Sequence, residues 1–412
     1  MIPSAMAVGD ERIRGYYLFR AVTSFSLWMP FWTLWAYVNL DSYFLLTIVD
    51  IGFWTTMIVF QVPAGLLGDK YGRKLVLFVG EALAAVGVFS FGLSTDLWQL
   101  FGANIIWALG ICFVISGDTP FVYDTLLELG RAKEFIGVIA KGWAVQAICS
   151  SVACVVGGVM VQWIFPDRYD LTLMISAVIA LIGSATILAL KEPKVERTQL
   201  SSYRTHFREG WRRVMSTKAI LVLILFQIVI EIAIYVMAVF RSVYMNEDLE
   251  LNSFEIGAFI GGFTVFGGIV AFQAGKIEQR MGEKGSLMLL LITVILSFTV
   301  VFLMASPVVI LIQLPIYMVS YLQAPIIGGY INRRVDSNHR STVIAIATFI
   351  FTAVLTAVEL PSGWLATEFG ARETMLILAI ACAPIGFYLL SIWNREIDRE
   401  KNERKNGTPQ QP

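Results

Sequence analysis

The sequence has few charged residues for its length. Charged side chains make up 15% of its 412 residues and hydrophobic ones 57%, whereas soluble domains average about 25% charged and about 45–50% apolar residues. Because so few polar side chains cannot cover a soluble fold, the composition predicts an integral membrane protein. Basic and acidic residues number 31 each, and without a basic excess we expect no nucleic-acid partner.

Cysteine and histidine are too scarce to build a metal centre or a catalytic triad. The four cysteines lie in apolar runs without the spacing of zinc ligands or of a redox pair, so we interpret them as small hydrophobic residues. The two histidines, His206 and His339, lie far apart in polar loops. A phosphate-binding loop of the GxxxxGKS or GxxxxGKT kind is also missing. We therefore expect no metal, no cofactor, no enzyme activity and no ATP-driven transport by this chain alone.

Long apolar runs recur from one end of the chain to the other. A membrane-spanning helix needs about 20 mostly apolar residues, and twelve segments of about that length are present. They lie near residues 16–38, 44–67, 75–93, 99–127, 138–164, 171–190, 218–244, 255–274, 286–305, 307–329, 341–366 and 373–393. The pattern predicts an all-α integral membrane protein with twelve transmembrane helices.

The longest polar interruption divides the twelve spans six and six. It predicts an N-terminal six-helix half, a basic linker, a C-terminal six-helix half and a polar tail, at residues 1–190, 191–217, 218–394 and 395–412. An apolar stripe runs through the linker at Tyr203, Phe207, Trp211 and Val214. The linker is therefore either an amphipathic helix on the membrane surface or a solvated connection.

Lysine and arginine lie almost entirely on one side of the predicted membrane. Of the 31 basic residues, 27 share a side with the N-terminus, Arg168 and Arg372 lie on the opposite side, and Arg20 and Arg241 lie within spans. Cytoplasmic loops are the ones that carry the excess of Lys and Arg. We therefore predict a multi-pass protein of the plasma (inner) membrane with both termini in the cytoplasm.

A ten-residue motif connects the second and third spans. It reads Gly65-Leu66-Leu67-Gly68-Asp69-Lys70-Tyr71-Gly72-Arg73-Lys74. Gly65 and Gly68 share a helix face that would allow close helix contact, and Gly72 permits a tight turn. Asp69 and Arg73 would form a charged latch at the membrane surface, with Lys70 and Lys74 beside it.

This loop resembles the signature loop of the major facilitator superfamily, G-x-L-a-D-r-x-G-r-k. A degraded second copy lies 210 residues later, from Gly275 to Lys284, as expected of two parallel six-helix halves. The resemblance implies that an acid near the end of the fourth span meets the signature arginine. We carry that role to Asp124 as the partner of Arg73, either as a conformational latch or as a static ion pair at a helix end.

Two further stretches resemble the prokaryotic branch related to macrolide-type drug:proton antiporters. They are Tyr123-Asp124 at the end of the fourth span and Tyr330 to Val343 before the eleventh. One stretch departs from the pattern of several drug branches, which carry Gly-Pro followed by Gly-Gly in the fifth span. Here Gly157-Gly158 follows Ala153-Cys154, without a proline.

Ionisable groups within the spans are the candidate functional residues, since each costs about 2.5–3.5 kcal/mol at the bilayer centre. Apart from Lys141, Lys218, Glu255 and Glu373 at the ends of spans, there are eight: Arg20, Asp50, Glu81, Asp118, Asp124, Glu231, Arg241 and Glu359. Glu231, at the centre of the seventh span, is predicted to exchange the coupled proton or attract a cationic substrate; the alternative is a hydrogen-bonded packing residue. Arg20 and Asp118 have similar depths and would form a pair that orients substrate, unless Arg20 snorkels to the surface.

The outer side of the bundle has its own set of charges. Asp50, Arg241 and Glu359 have similar depths, and we predict that they form an outer gate. Glu81 lies in the third span, which is peripheral in proteins of this fold, and receives no role. Phe25, Trp28, Trp32 and Trp35 align at helical spacing, either as an aromatic wall of the cavity or as packing residues.

These features predict a monomeric secondary transporter that works in the lipid bilayer by rocking of two six-helix halves around a central site. The favoured function is export of a lipophilic or amphipathic small molecule coupled to protons. One alternative is uptake of a polar metabolite or anion. An alternative of another class is a membrane sensor on the same fold that transports nothing.

Overall fold

The computed structural model describes residues 3–194, 208, 211–212, 214–271, 273–304, 306, 308–335 and 340–405, which form helices and connecting turns. A 3-10 turn at 132–134 precedes α6, and a π turn at 160–164 follows it. The helices are α1 (Pro3–Thr23), α2 (Trp32–Leu40), α3 (Tyr43–Tyr71), α4 (Arg73–Leu93), α5 (Leu97–Glu128), α6 (Phe135–Val159), α7 (Tyr169–Leu188), α8 (Lys218–Glu247), α9 (Ser253–Ala271), α10 (Ala274–Leu303), α11 (Val309–Asn332), α12 (Arg340–Phe369) and α13 (Ala371–Lys405).

The predicted all-α membrane fold is confirmed. Among the described residues, eleven helices, α3 to α13, are long and apolar enough to cross a membrane. The twelfth membrane segment is formed by α1 and α2 together. Each of the twelve predicted spans thus corresponds to one helix or, for the first, to two.

The prediction of one continuous first helix over 16–38 is wrong. α1 ends at Thr23 and α2 begins at Trp32. Pro30 lies in the break and has no backbone N–H to donate to the carbonyl one turn earlier. The backbone groups of the break find side-chain partners instead: Ser150 of α6 donates to the Ser24 carbonyl (2.9 Å), and the Leu27 N–H donates to Ser176 of α7 (2.9 Å). Irregular backbone at membrane depth is tolerated where protein groups satisfy it in this way.

The chain forms two compact units. The first comprises the described residues among Met1–Gln199, Phe240–Val265 and Glu359–Thr367. Its centre is α4, which packs against α5 and α7. Gly80 of α4 lies against the backbone at Gly110 of α5, and Gly87 lies against Trp107. Residues without large side chains let membrane helices approach closely, which is what holds such a bundle together.

The second unit comprises the described residues among Leu200–Val239, Phe266–Val358 and Glu368–Pro412. α10 packs against α11 and α13, with Gly386 of α13 lying against Leu291 of α10. Lys218 at the start of α8 pairs with Glu396 of α13 (2.9 Å). α8, α9 and α12 each have one part in the first unit and another in the second. The sequence-based boundaries at 190, 217 and 394 remain a prediction.

Two predicted polar segments are only partly described. The tail predicted from residue 395 is helical as far as Lys405, because α13 continues into it, and residues 406–412 lie outside the described part. In the linker, Tyr203 and Phe207 also lie outside the described residues. Val214 is buried, and the Trp211 ring lies 6.4 Å from that of Phe349. Both interpretations of the linker therefore remain open.

Candidate functional site

The signature loop is held at the junction of α3 and α4. Gly72 lies between the two helices with φ +106°, a conformation that favours glycine. The next two backbone N–H groups, of Arg73 and Lys74, each donate to the Glu192 carboxylate at 2.8 Å. An acid at a helix N-terminus satisfies free N–H groups and complements the helix dipole. Sequence reasoning missed Glu192, because a single acid in a charged linker belongs to no recognisable motif or spacing.

The side chain of Arg73 joins the loop to the end of α5. Its guanidinium pairs with Asp69, and its Nε lies 3.8 Å from Oδ2 of Asp124. The structure thus brings together the three residues expected to form the latch. Lys74 extends to the end of α7, where its Nζ donates to the carbonyls of Leu188 (2.6 Å) and Leu190 (2.7 Å).

Two of the three glycines of the loop, Gly65 and Gly68, do not act as expected. No described atom lies within 4 Å of the Cβ position of Gly65, so the predicted close helix contact at this residue is wrong. At Gly68 the neighbour is the Arg73 guanidinium rather than another helix. Gly68 therefore leaves room for the latch arginine. Lys70 lies outside the latch, with its Nζ 4.9 Å from the centre of the Tyr71 ring.

The second copy of the motif forms a charge-reversed counterpart in the second unit. Gly282, 210 residues after Gly72, interrupts α10 with φ +65°. Glu283 stands at the position of Arg73, and Arg334 stands at the position of Asp124. Their side chains pair at 3.0 Å, and Arg334 also lies over the Trp393 ring at 4.7 Å. At these matching positions each unit therefore joins its loop to a helix end by an ion pair, and the two pairs have opposite polarity. In the second unit Arg333 adds pairs with Glu278 (3.1 Å) and Glu283 (3.6 Å).

A cavity of about 300 Å³ lies beside the break in the first membrane segment, within the first unit. The break supplies Ser24, Ser26, Trp28 and Met29 to its wall, and α1, α4, α5, α6 and α7 supply the rest. Its size is at the lower end of the range for small-molecule sites. The cavity therefore suits a small organic molecule or part of a larger one.

Of the predicted pair of Arg20 and Asp118, Arg20 lines this cavity, and Asp118 lies behind it as its ion-pair partner. Nη1 of Arg20 is 3.5 Å from Oδ2 of Asp118, and both residues are buried. Arg20 also donates to the side-chain oxygen of Gln146. Because its partners lie inside the bundle, Arg20 does not snorkel to the surface.

Glu81 is a functional candidate that sequence reasoning left without a role. It lines the same cavity as Arg20 and is only 8% exposed. Among the described residues its carboxyl has no hydrogen-bond or ion-pair partner, although the charges of Arg20 and Asp118 act on it. The cluster thus has one cation and two acids, so one carboxyl is left over. The fold brings the peripheral third span to the cavity, which spacing alone did not predict.

The four aromatic residues do not form one wall, because the helix that would align them is broken. Trp28 lines the cavity and packs edge-on against Trp107 with ring centres 4.6 Å apart. Trp32 packs on Trp107 from 6.1 Å, and Trp35 donates to the Phe91 carbonyl (3.0 Å). Phe25 lies in the break and is not part of the cavity lining. The aromatic face of the cavity is therefore Trp28 and Trp107.

Of the predicted outer gate, Asp50 and Glu359 come together. Asp50 of α3 and Glu359 of α12 are 3% and 0% exposed, and their carboxyl groups lie near enough to act on each other electrostatically. Arg241 belongs to the same unit, next to Phe240, whose ring packs on that of Tyr43 at 5.1 Å. Glu231 lies in the second unit near the middle of α8, half-buried, and accepts a hydrogen bond from Gln227 (3.4 Å).

The Gly157-Gly158 pair of α6 forms a close contact despite the missing proline. Gly157 lies against the carbonyl of Leu27 in the helix break, and Gly158 lies against the start of α9. One turn further, Gly257 of α9 lies against a carbonyl of α6, and Ser151 donates to the carbonyl of Gly261 (2.7 Å). The contact between α6 and α9 therefore depends on small residues on both helices.

Known proteins resemble this chain in sequence and in fold. Residues 17–358 match the family described as Major Facilitator Superfamily. Multidrug resistance protein 1 of Bacillus subtilis (strain 168) is 23% identical over 288 residues, which are 68% of this chain and 69% of that protein. The tetracycline resistance protein, class H, of Pasteurella multocida is 22% identical over 294 residues, 69% of this chain and 70% of its own.

Solved structures agree on the fold. The nucleoside transporter NupG superposes with a TM-score of 0.77, covering 92% of this chain and 99% of that one at 14% identity. A bacterial homologue of the human lysosomal transporter Spinster superposes with a TM-score of 0.76, covering 94% and 97% at 12% identity. The family match spans most of the chain and confirms the resemblance seen in the signature loop. The chain is a multi-pass membrane transporter, not an enzyme, and belongs to the Major Facilitator Superfamily.

Proposed function

We propose that this transporter exports lipophilic or amphipathic small molecules, including ones that carry a positive charge, in exchange for protons. The observation that carries the proposal is the cavity at the helix break. Arg20 pairs with Asp118, so Glu81, the acid of the cavity lining, is left to attract a cation. Trp28 and Trp107 offer ring faces on which an organic cation can rest.

The relatives support the direction of transport. Two proteins that share about two thirds of their length with this chain are named for resistance to several drugs and to tetracycline. Resistance by a transporter requires movement of the compound out of the cell. We extend export to this chain on that basis.

Alternating access supplies the mechanism. Two six-helix halves would rock against each other while the first unit carries the bound substrate, and the pair of Arg73 and Asp124 would lock the face that carries the basic loops. Glu231 would exchange the coupled proton during the cycle. The basic residues place that face, and both termini, in the cytoplasm, with the monomer acting as the transport unit in the plasma membrane.

Purified protein in proteoliposomes tests the proposal. Ethidium would serve as the cationic probe, with a neutral aromatic drug for comparison, and a pH dye inside the vesicles would follow proton movement. We expect both probes to drive proton flux. Glu81→Gln should lose transport of ethidium selectively, because it removes the counter-charge, whereas Glu231→Gln should uncouple both probes from protons.

Two outcomes would contradict the proposal. Probe movement without any dependence on a pH gradient would remove proton coupling. Equal transport of ethidium by the wild type and Glu81→Gln would remove the cavity as the cation site. Glu368→Gln is the matched control, since this acid is exposed at the end of α12.

A second candidate function follows from the polar wall of the same cavity. Arg20, Gln146 and Ser150 all line it, and these side chains suit a polar metabolite better than a purely apolar drug. Concentrative uptake of such a metabolite into the vesicles, with no response to either drug probe, would favour this alternative.

A further inference from the structure

A row of small and polar residues joins α3 to the end of α12 within the first unit. The N–H of Phe44 donates to Oγ1 of Thr367 (2.9 Å). One turn along α3, Thr47 lies against Gly363, whose missing side chain allows the helices to approach. Since positions advance along α3 while they recede along α12, the helices cross in antiparallel fashion. One further turn along each helix, this register brings Asp50 next to Glu359, and their carboxyl groups act on each other.

This pair of acids is sealed inside the unit. Glu359 is 0% exposed and Asp50 is 3% exposed. Neither side-chain oxygen of Glu359 receives a hydrogen bond from a described residue. Ionised carboxylates are acceptors only, so two facing carboxylates repel each other and cannot bond. A proton on one of them turns the same contact into a hydrogen bond.

The surrounding helices bring few other charges to the pair. On α5, Asn104 is neutral and donates to the Val49 carbonyl (2.8 Å). On α8, Arg241 is the cation of the segment that packs on α3. The charged group that acts on Glu359 is Asp50. One proton for the two carboxyl groups is therefore what this contact requires.

We propose that Asp50 and Glu359 bind one proton between them, and that the contact between α3 and α12 opens when the proton leaves. Proton release would place two negative charges face to face in a buried contact, which separates the helices. Rebinding would restore the hydrogen bond and close them. The inference rests on the proposed function for its role in transport, because it names a place where the coupled proton is held.

Infrared spectroscopy can count the protons on the pair without any transport. Protonated carboxyl groups have a carbonyl stretch that is distinct from that of carboxylates and shifts in heavy water. We would compare the wild type with Asp50→Asn, Glu359→Gln and the double variant, all in lipid and without substrate. An amide in place of either acid can donate to the remaining carboxylate, so each single variant no longer needs the proton.

A shared proton predicts that the two single variants and the double variant lose the same band intensity, equal to one carboxyl. A double variant that loses twice as much as each single variant would show two separate protons and overturn the proposal. No loss in any variant would also overturn it. Glu231→Gln is the control, because this acid lies in the other unit and its effect should add to that of Glu359→Gln.

Crosslinking across the same row tests the opening. Oγ of Ser42 lies 3.4 Å from Oγ1 of Thr367, so cysteines at these two positions in a background without the native cysteines should form a disulfide when the contact is closed. We expect less crosslinking at high pH than at low pH. In the Asp50→Asn, Glu359→Gln background the amide pair stays neutral at every pH. Crosslinking in that background should therefore be at least as high at high pH as at low pH.

That background shares the thiol chemistry of the cysteine pair and therefore controls for the effect of pH on the thiols. The same pH response in both backgrounds would overturn the proposed opening. Neither measurement uses a substrate, so failure of the export assay leaves both results unchanged. Failure of the proton pair would likewise leave the cation site at Glu81 intact.

Discussion

The pair of Arg20 and Asp118 yields a graded prediction, because a second acid, Glu81, faces the same cavity. The ion pair is 3.5 Å long, and each side chain is about 10% exposed. Unit charges at that distance attract by about 5 kcal/mol at an effective dielectric constant of about 20. Desolvation of the two groups offsets much of that attraction, so the cost of a substitution depends on which charges remain.

Removal of the Arg20 cation should lower the free energy of unfolding more than removal of either acid. Arg20→Gln leaves Asp118 and Glu81 in one buried site without a counter-charge, and breaking a buried pair in this way costs about 3–5 kcal/mol. Asp118→Asn leaves Arg20 with Glu81 as its counter-charge, so we expect a loss of about 1.5–3 kcal/mol, equivalent to one hydrogen bond to a charged group. The two variants should therefore differ clearly in free energy of unfolding.

The double variant Asp118→Asn, Glu81→Gln sharpens the comparison. It leaves Arg20 without a carboxylate as counter-charge. Its loss in free energy of unfolding should therefore exceed the sum of the losses in Asp118→Asn and Glu81→Gln. Unfolding of purified variants in mixed micelles, followed by tryptophan fluorescence, measures these differences. Equal costs for Arg20→Gln and Asp118→Asn, or an additive double variant, would refute the view that Glu81 acts as the reserve counter-charge.

Three further predictions follow from the contacts of the helix ends and glycines. Asp124→Asn should increase the accessibility of single cysteines on the face of the basic loops; unchanged labelling would argue for a static ion pair. Glu283→Arg and Arg334→Glu should each lower the transport rate by about tenfold, equivalent to about 1.4 kcal/mol, and the exchanged pair should recover most of it; failure to recover would count against a direct pair. Gly257→Val should destabilise the protein by about 1–3 kcal/mol through overpacking, whereas Gly262→Val, which faces no described atom within 4 Å, should leave the melting temperature near that of the wild type.

Hydropathy was sufficient to predict the membrane helices, because each apolar run is long enough to cross a bilayer. The first span shows the limit of that signal. Its break between Thr23 and Trp32 keeps an apolar composition, and the partners that stabilise it, Ser150 and Ser176, lie more than 120 residues away. A signal from local composition contains no information about such distant partners.

The site was predictable where a motif supplied the pairing. The signature loop pointed from Arg73 to Asp124, and the two side chains do meet. Glu81 and Glu192 had no such guide, since each is a single acid whose importance depends on which distant groups surround it. At Gly65 the motif was misleading. It suggested a close contact with another helix, but no described atom lies within 4 Å of the Cβ position of this residue.

The opposite polarity of the two loop contacts has a consequence for assembly of the newly made chain. The two halves carry similar loops and similar helix ends, so a loop that docks on the helix of the wrong half is the obvious error. Arg73 would then face Arg334, and Glu283 would face Asp124, which are like charges in both cases. Only the correct dockings join opposite charges, at 3.8 Å in one unit and 3.0 Å in the other. The reversed charges thus allow each loop to dock on the helix end of its own half and make docking on the other half repulsive.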